Sequence, residues 1–195
     1  FPDLWARYQR ILHQRNAALK EQGQIKARHV WDDELVEAGE KLHAARAQLT
    51  AQLLPHYQMC CQQLLGKKHR VDLTLESGWD GEGGFGERLH QDRARDSARG
   101  FTHSGPQRAD LQISLNMQAS KQGASHGQYK ILVVALRLAQ ICYLLKTRNR
   151  NCCLLIDDLA AELDPEHRAR LTQLLASLPV QVFVTTTESS LIDRE

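Results

Sequence analysis

The chain has 195 residues, with 25 basic against 23 acidic side chains and a net charge of +2; that is room for one α/β domain with a core, or a smaller domain with an appendage. So even a balance excludes a global polycation, and any surface for nucleic acid must be local. No apolar stretch reaches the roughly 18 to 20 residues of a membrane helix, and none of the five cysteines forms a C-x-x-C pair. Cysteines embedded in apolar runs, Cys142, Cys152 and Cys153, point to reduced thiols acting as small hydrophobes. Phe1 stands where a methionine would open a whole protein, which suggests a piece of something longer.

Leu4, Trp5, Tyr8, Ile11, Leu12, Ala18 and Leu19 follow helical spacing behind Pro2, so residues 3–22 are expected to form an amphipathic helix. Arg7, Arg10 and Arg15 belong on its solvent face. A second helix carries Leu35, Leu42, Ala45, Leu49 and Leu53 towards Leu65 and Gly66, with Pro55 as a kink or break. The two make a helical hairpin or arm, residues 1–66, and residues 67–195 form a second region. Val71, Leu73 and Leu75 then alternate with polar residues as in a half-buried strand, and glycines 78 to 86 mark a loop. Residues 87–98 form a short charged helix, and Leu111 to Met117 alternate as a second strand. Residues 126–145 are apolar round most of a helix and are expected to be largely buried. Residues 152–157 and 180–185 are short apolar runs separated by a charged helix at 165–177, which is a βαβ unit with parallel strands.

Chemistry concentrates at two places. In "CCLLIDD" an apolar strand ends in two carboxylates, which are too costly to bury unpaired and so belong at the strand's carboxyl edge, where parallel sheets bind ligands. Adjacent strand residues face opposite ways, so a division of labour fits: Asp157 holding Mg²⁺ and Asp158 orienting a water. That is the mechanics of a Walker B strand. In "ASHGQYK" Ser125 and Gln128 have capping-box spacing, which starts a helix, and Gly127 makes sense where something must approach the backbone. A helix N-terminus offers such a visitor, a phosphate, its N–H groups and partial positive charge. The nine histidines lack ligand spacing. His103 and His126 adjoin the site but suit solvent-facing or capping roles, and Trp5, Trp31 and Trp79 suit core or interface anchors.

"SHGQYKILVVALRLAQ" (125–140) followed by "LLIDDLAAELD" (154–164) resembles the signature helix, Walker B strand and D-loop of an ABC-type ATPase head. With "GPQRADL" (105–111) and "LHQRNAALK" (12–20), the chain is similar to the bacterial RecF family, relatives of SMC heads. The resemblance implies an α/β fold: the C-terminal part of a P-loop ATPase head with a mainly parallel sheet, plus the helical arm. It implies ATP and Mg²⁺ as cofactors and an ATP-dependent homodimer in which Ser125, Gly127 and Gln128 touch the triphosphate held by the other subunit. It places Asp157 on magnesium, Asp158 as the catalytic acid and Asp164 as the D-loop aspartate. Thr186 falls at a switch position where many ABC proteins carry histidine, and threonine cannot act as an imidazole.

The implied work is DNA repair, recombination and replication-fork recovery in the bacterial cytoplasm and the SOS response. Its partners would be gapped or junction DNA and mediator proteins of the RecR and RecO type, helping a recombinase load. No G-x-x-x-x-G-K-[ST] occurs in these residues, since Gly84 and Glu87 stand where the lysine belongs. The chain alone is therefore expected to lack ATPase activity, while the parent would be a slow Mg²⁺-dependent ATPase. Rival readings are another SMC-like head, an ABC-associated nuclease, or a non-catalytic scaffold fragment.

Overall fold

A computed structural model describes residues 1–21, 30–81, 83–119, 125–148, 152–157 and 163–186. In chain order the elements are α1 (Pro2–Lys20), α2 (Asp32–Leu65), β1 (Val71–Glu76), α3 (Gly84–Gln91), α4 (Arg93–Arg99), β2 (Asp110–Leu115), β3 (Gln118–Ala119), α5 (His126–Arg148), β4 (Cys153–Ile156), α6 (Pro165–Ser177) and β5 (Gln181–Val184). Two compact units divide them, one of Phe1–Thr50 with Leu75–Leu111, the other of Ala51–Thr74 with Gln112–Glu195.

Pro55 does not break α2, which runs on to Leu65. The proline removes the N–H that would bond to the carbonyl of Ala51, and both residues are exposed, so water can take up the orphaned carbonyl. The charged helix expected at 87–98 is two helices joined at Asp92, which closes α3 and opens α4. Its buried carboxylate accepts from Ser104 Oγ at 2.5 Å and from Arg88 twice at 3.1 Å. Burial pushes that carboxyl up, but the Ser104 hydroxyl and the Arg88 guanidinium together hold it below its ordinary value.

In the first unit Tyr8, Ile11, Leu35, Ala38, Leu42, Phe85 and Leu89 form the core, with Trp5, Trp31 and Trp79 packed against it. Arg15 departs from the exposed face expected of it. It is fully buried, donating Nε to Asp32 at 2.7 Å and Nη1 to Asp96 and Thr102 at 2.8 and 2.6 Å. His103 is likewise buried rather than solvent-facing, and Arg99 Nη1 lies 3.1 Å from its Nε2. A guanidinium can only donate, so Nε2 accepts and the Nδ1 proton goes to Asp96 Oδ1, 3.1 Å away. Gln107, which carries no role in the sequence, accepts the Tyr8 hydroxyl through Oε1 and donates to the carbonyls of Thr102 and Ser104.

The loop from 77 to 81 is tied to the segment 104–109 by a bond from Gly105 N–H to Gly78 O at 2.9 Å. Both glycines have positive φ, +87° and +138°. A Cβ on Gly78 would strike the Gly105 carbonyl and lie 2.7 Å from Ala109 N, while one on Gly105 would lie 2.7 Å from Tyr8 Oη and 2.9 Å from Phe85 Cζ.

β1, β2 and β3 form one sheet in that order, β2 and β3 antiparallel. The strand expected through Met117 stops at Leu115, because Asn116 and Met117 take φ of 51° and 67° and make a two-residue hairpin turn. Asn116 donates its N–H to Arg70 O at 2.7 Å and accepts Arg70 N–H at 3.0 Å. In the second unit β4 and β5 are parallel, paired Cys153↔Gln181 through Ile156↔Val184 with α6 between them, as the βαβ reading requires. α5 is less buried than its composition predicts: Ile131, Leu132, Ala135, Leu138, Ala139 and Cys142 are covered, but Val133 and Leu144 are more than a third exposed. Leu155 and Phe183, paired across β4 and β5, are 76% and 49% exposed, so the apolar strand run is half-covered rather than buried. Among the described residues no helix is long and apolar enough to cross a membrane.

Candidate functional site

Ser125 precedes α5 and makes the reciprocal cap its spacing predicts. Its Oγ accepts Gln128 N–H at 3.2 Å, and Gln128 Oε1 accepts Ser125 N–H at 3.0 Å. Two orphan donors of the helix start are thereby satisfied. Gly127 is exposed between them, and a Cβ built there would meet nothing within 4 Å among the described residues. Packing among the described residues gives no reason for a glycine at that position. An incoming group would find bare backbone at the positive end of a 23-residue helix.

Asp157 follows β4 at its carboxyl end, exposed, and its Oδ1 accepts the hydroxyl of Thr185 from the end of β5 at 2.5 Å. The parallel register carries the two residues to the same edge, and Thr185 N–H bonds to Ile156 O at 2.9 Å. Thr185 is the hydroxyl the sequence does not reveal, since only the pairing of the strands brings it to Asp157. Thr186, the expected switch position, is the next residue and half-buried. Asp157 also lines a groove of about 440 Å³ with Val133, Arg137, Ile141 and Leu144 of α5 and Leu155 of β4. Asp158 lies outside the described residues.

Asp164 is the N-cap of α6, with Pro165 in the first turn, and accepts His167 N–H at 3.0 Å. His167 Nδ1 lies 2.5 Å from Asp164 Oδ2. The His167 N–H first, and then its imidazole, hold the Asp164 carboxyl below its usual range. Asp-Pro is itself a helix-start pattern, so the backbone N–H of residue 167 could have been read from sequence as the partner, though not its imidazole.

Among the described residues no group of three or more His, Cys, Asp and Glu side chains is placed to hold a metal ion. The donor set at Asp157 is a single hard carboxylate. It suits magnesium, which keeps most of its waters and takes one or two carboxylates alongside phosphate oxygens.

A strand–helix–strand with an acid at the carboxyl end of its first strand, preceded by a long helix opening on Ser-x-Gly-Gln, gives the chain the fold of the C-terminal part of an ABC-type ATPase head. The fold agrees with two solved structures of "the recombination mediator protein RecF", described with ATPrS and with ATP in the RecFOR pathway. These superpose with TM-scores of 0.80 and 0.79 at 20% and 23% identity, over 98% and 95% of this chain and 54% and 52% of theirs. In sequence the chain is 37% identical over 194 residues to the DNA replication and repair protein RecF of Vibrio vulnificus (strain YJ016), covering 99% of this chain and 54% of that protein. It is 40% identical over 189 residues to that of Thioalkalivibrio sulfidiphilus, covering 97% and 52%. No family model matches. Over nearly its whole length the chain is similar to the RecF proteins, and it spans about half the length of the curated relatives it matches.

Proposed function

We propose that this chain supplies the signature, Walker B and D-loop part of a RecF-type ATPase that acts in DNA repair, recombination and replication-fork recovery in the bacterial cytoplasm. In this reading residues 1–66 serve as a helical arm and residues 67–195 as the ATPase lobe. The observation that carries it is the reciprocal Ser125–Gln128 cap around Gly127, where among the described residues a Cβ would meet nothing within 4 Å, which leaves the backbone of the helix start approachable by a phosphate.

Ser125, Gly127 and Gln128 would bind the triphosphate of ATP held by a second subunit, giving an ATP-dependent homodimer. Asp157 would hold Mg²⁺, oriented by the Thr185 hydroxyl, and Asp158 would position the attacking water. Magnesium supplies charge neutralisation on the phosphates. Asp164, fixed by its own helix cap, would face the partner subunit, and Thr186 would sit at the switch position without imidazole chemistry. DNA, gapped or at a single/double-strand junction, and mediator proteins of the RecR and RecO type are the proposed partners, the outcome being recombinase loading.

The test joins this chain to the remainder of the Vibrio vulnificus relative, in place of the segment it matches. ATP-dependent dimerisation by size-exclusion chromatography and slow Mg²⁺-dependent turnover are expected, both lost in Ser125→Arg, with turnover alone lost in Asp158→Asn. Retention of dimerisation and turnover in both variants would sink the assignment. The 195-residue chain alone is expected to show background turnover, for want of a lysine-bearing phosphate loop.

A further inference from the structure

Helix α4 sorts its charges by face. Asp92 and Asp96, four residues apart, are 5% and 0% exposed and accept from Arg88, Ser104, Arg15 and His103, so the negative charge of the helix is turned into the first unit. Arg93 turns to Asp32 at 3.1 Å. Arg95 and Arg99, also four apart, stay exposed, Arg95 reaching Asp92 only at 3.4 Å at the edge of the helix. A segment that is nearly neutral in sequence thus shows solvent a cationic face.

The turn that follows adds an aromatic ring. Gly100 ends α4 in the left-handed conformation, with Lys20 of α1 so close that a Cβ on Gly100 would lie 3.2 Å from the lysine Cγ. Phe101 is 38% exposed, and its inner face stacks on His103 with centroids 4.2 Å apart and planes 26° apart. His103 is in turn fixed by Asp96 and Arg99. The stack is therefore braced from within by His103, and among the described residues Phe101 keeps over a third of its surface exposed, next in sequence to the Gly100 that lies against Lys20.

The geometry points to a binding site for single-stranded nucleic acid at the end of α4, with Phe101 as the stacking platform for a base and Arg95, Arg99 and Lys20 as contacts for the flanking phosphates. Every base offers a π-face, so such a platform is indifferent to sequence. A duplex keeps those faces stacked on one another and cannot use it. An acidic peptide would use the cations and leave the braced ring idle, which is why the nucleic acid is the better fit. The inference rests on the DNA-handling part of the proposed function, and concerns a surface distinct from the residues proposed for ATP.

The test is fluorescence anisotropy with the 195-residue chain and a labelled oligothymidylate of about 12 nucleotides, within the site sizes such grooves accept. Phe101→Ala and Phe101→Leu should each weaken binding by about five- to a hundredfold at fixed salt and leave the salt slope unchanged. Arg95→Gln should reduce the slope of log affinity against log salt by about 0.7. Binding by the Phe101 variants equal to wild type would overturn the site while leaving DNA handling standing elsewhere on the chain. So would equal displacement by polyglutamate of matched charge, which marks a plain cation patch. Absence of any oligonucleotide binding by the wild type also overturns it, and the dimerisation and turnover of the chimeric protein then judge the ATPase reading separately.

Discussion

Replacing Arg15 with methionine tests the buried ionic network directly. The change keeps much of the apolar stem and removes the guanidinium that holds Asp32 at 2.7 Å and Asp96 at 2.8 Å. Asp32 keeps Arg93, and Asp96 keeps the N–H and Nδ1 of His103, but both lose their shortest cationic partner. Breaking a buried pair from one side costs about 3–5 kcal/mol, because the remaining charge is left in a poor solvent. Against a whole-domain stability of roughly 5–15 kcal/mol that is a large fraction. With a urea slope near 2 kcal/mol/M the midpoint should fall by about 1.5–2.5 M. Trp5, Trp31 and Trp79 all lie in the unit that contains Arg15, so tryptophan fluorescence reads the transition of that unit. Arg15→Lys should fall between, since one ammonium cannot span two carboxylates as a planar fork does. On the same helix Arg7→Met is the control: its partner Glu37 is 3.7 Å away and both side chains are about half exposed, so a change under about 0.5 kcal/mol is expected. If Arg15→Met behaves like Arg7→Met, the network is ornament and the stability argument is refuted.

Ser125→Ala should cost about 1 kcal/mol in chemical denaturation of the second unit, and Ser125→Gly only a few tenths; if the chimera's ATP-dependent dimerisation tracks stability rather than the hydroxyl, the phosphate role fails. Thr185→Val should raise the Mg²⁺ needed for half-maximal turnover of the chimera by roughly tenfold, the effect of losing a residue that orients a ligand, with an unchanged requirement counting against the Asp157 site. Because the Asp164 carboxyl is held below its ordinary value of 3.8, its pairing with His167 stabilises above that value and is lost as pH falls through the lower, folded one. The melting-temperature difference between wild type and Asp164→Asn should therefore be present at neutral pH and vanish in acid; a difference independent of pH would contradict the pairing. Peptide mapping after brief alkylation should find Cys153 modified first, since it is exposed while Cys60, Cys61 and Cys142 are buried; the Cys60 contact lowers the Cys142 thiol to about 7, but burial keeps the reagent from it.

The βαβ unit was legible because two short apolar runs and the charged helix between them all fall within 32 residues, Cys153 to Val184, and each signal is local. The Ser125–Gln128 cap was legible for the same reason. Arg15 was not, because its partners stand 17, 81 and 87 residues away and nothing in α1 announces them. Thr185 needed the register of two strands, and Gln107 needed the return of the chain to Tyr8. Leu155 misled in the other direction: an apolar residue in a strand reads as buried, yet it is 76% exposed.

The contact between Gly78 and Gly105 bears on how variants of this protein are to be read. Three of the atoms nearest a Cβ on Gly78 belong to main chain, which cannot rotate aside as a side chain can. In a saturation library scored only for soluble folded protein, the two positions should admit nothing but hydrogen. Their intolerance would be a matter of space, and a residue kept for space says nothing about chemistry, however close it stands in sequence to the His103 and Gln107 that surround it.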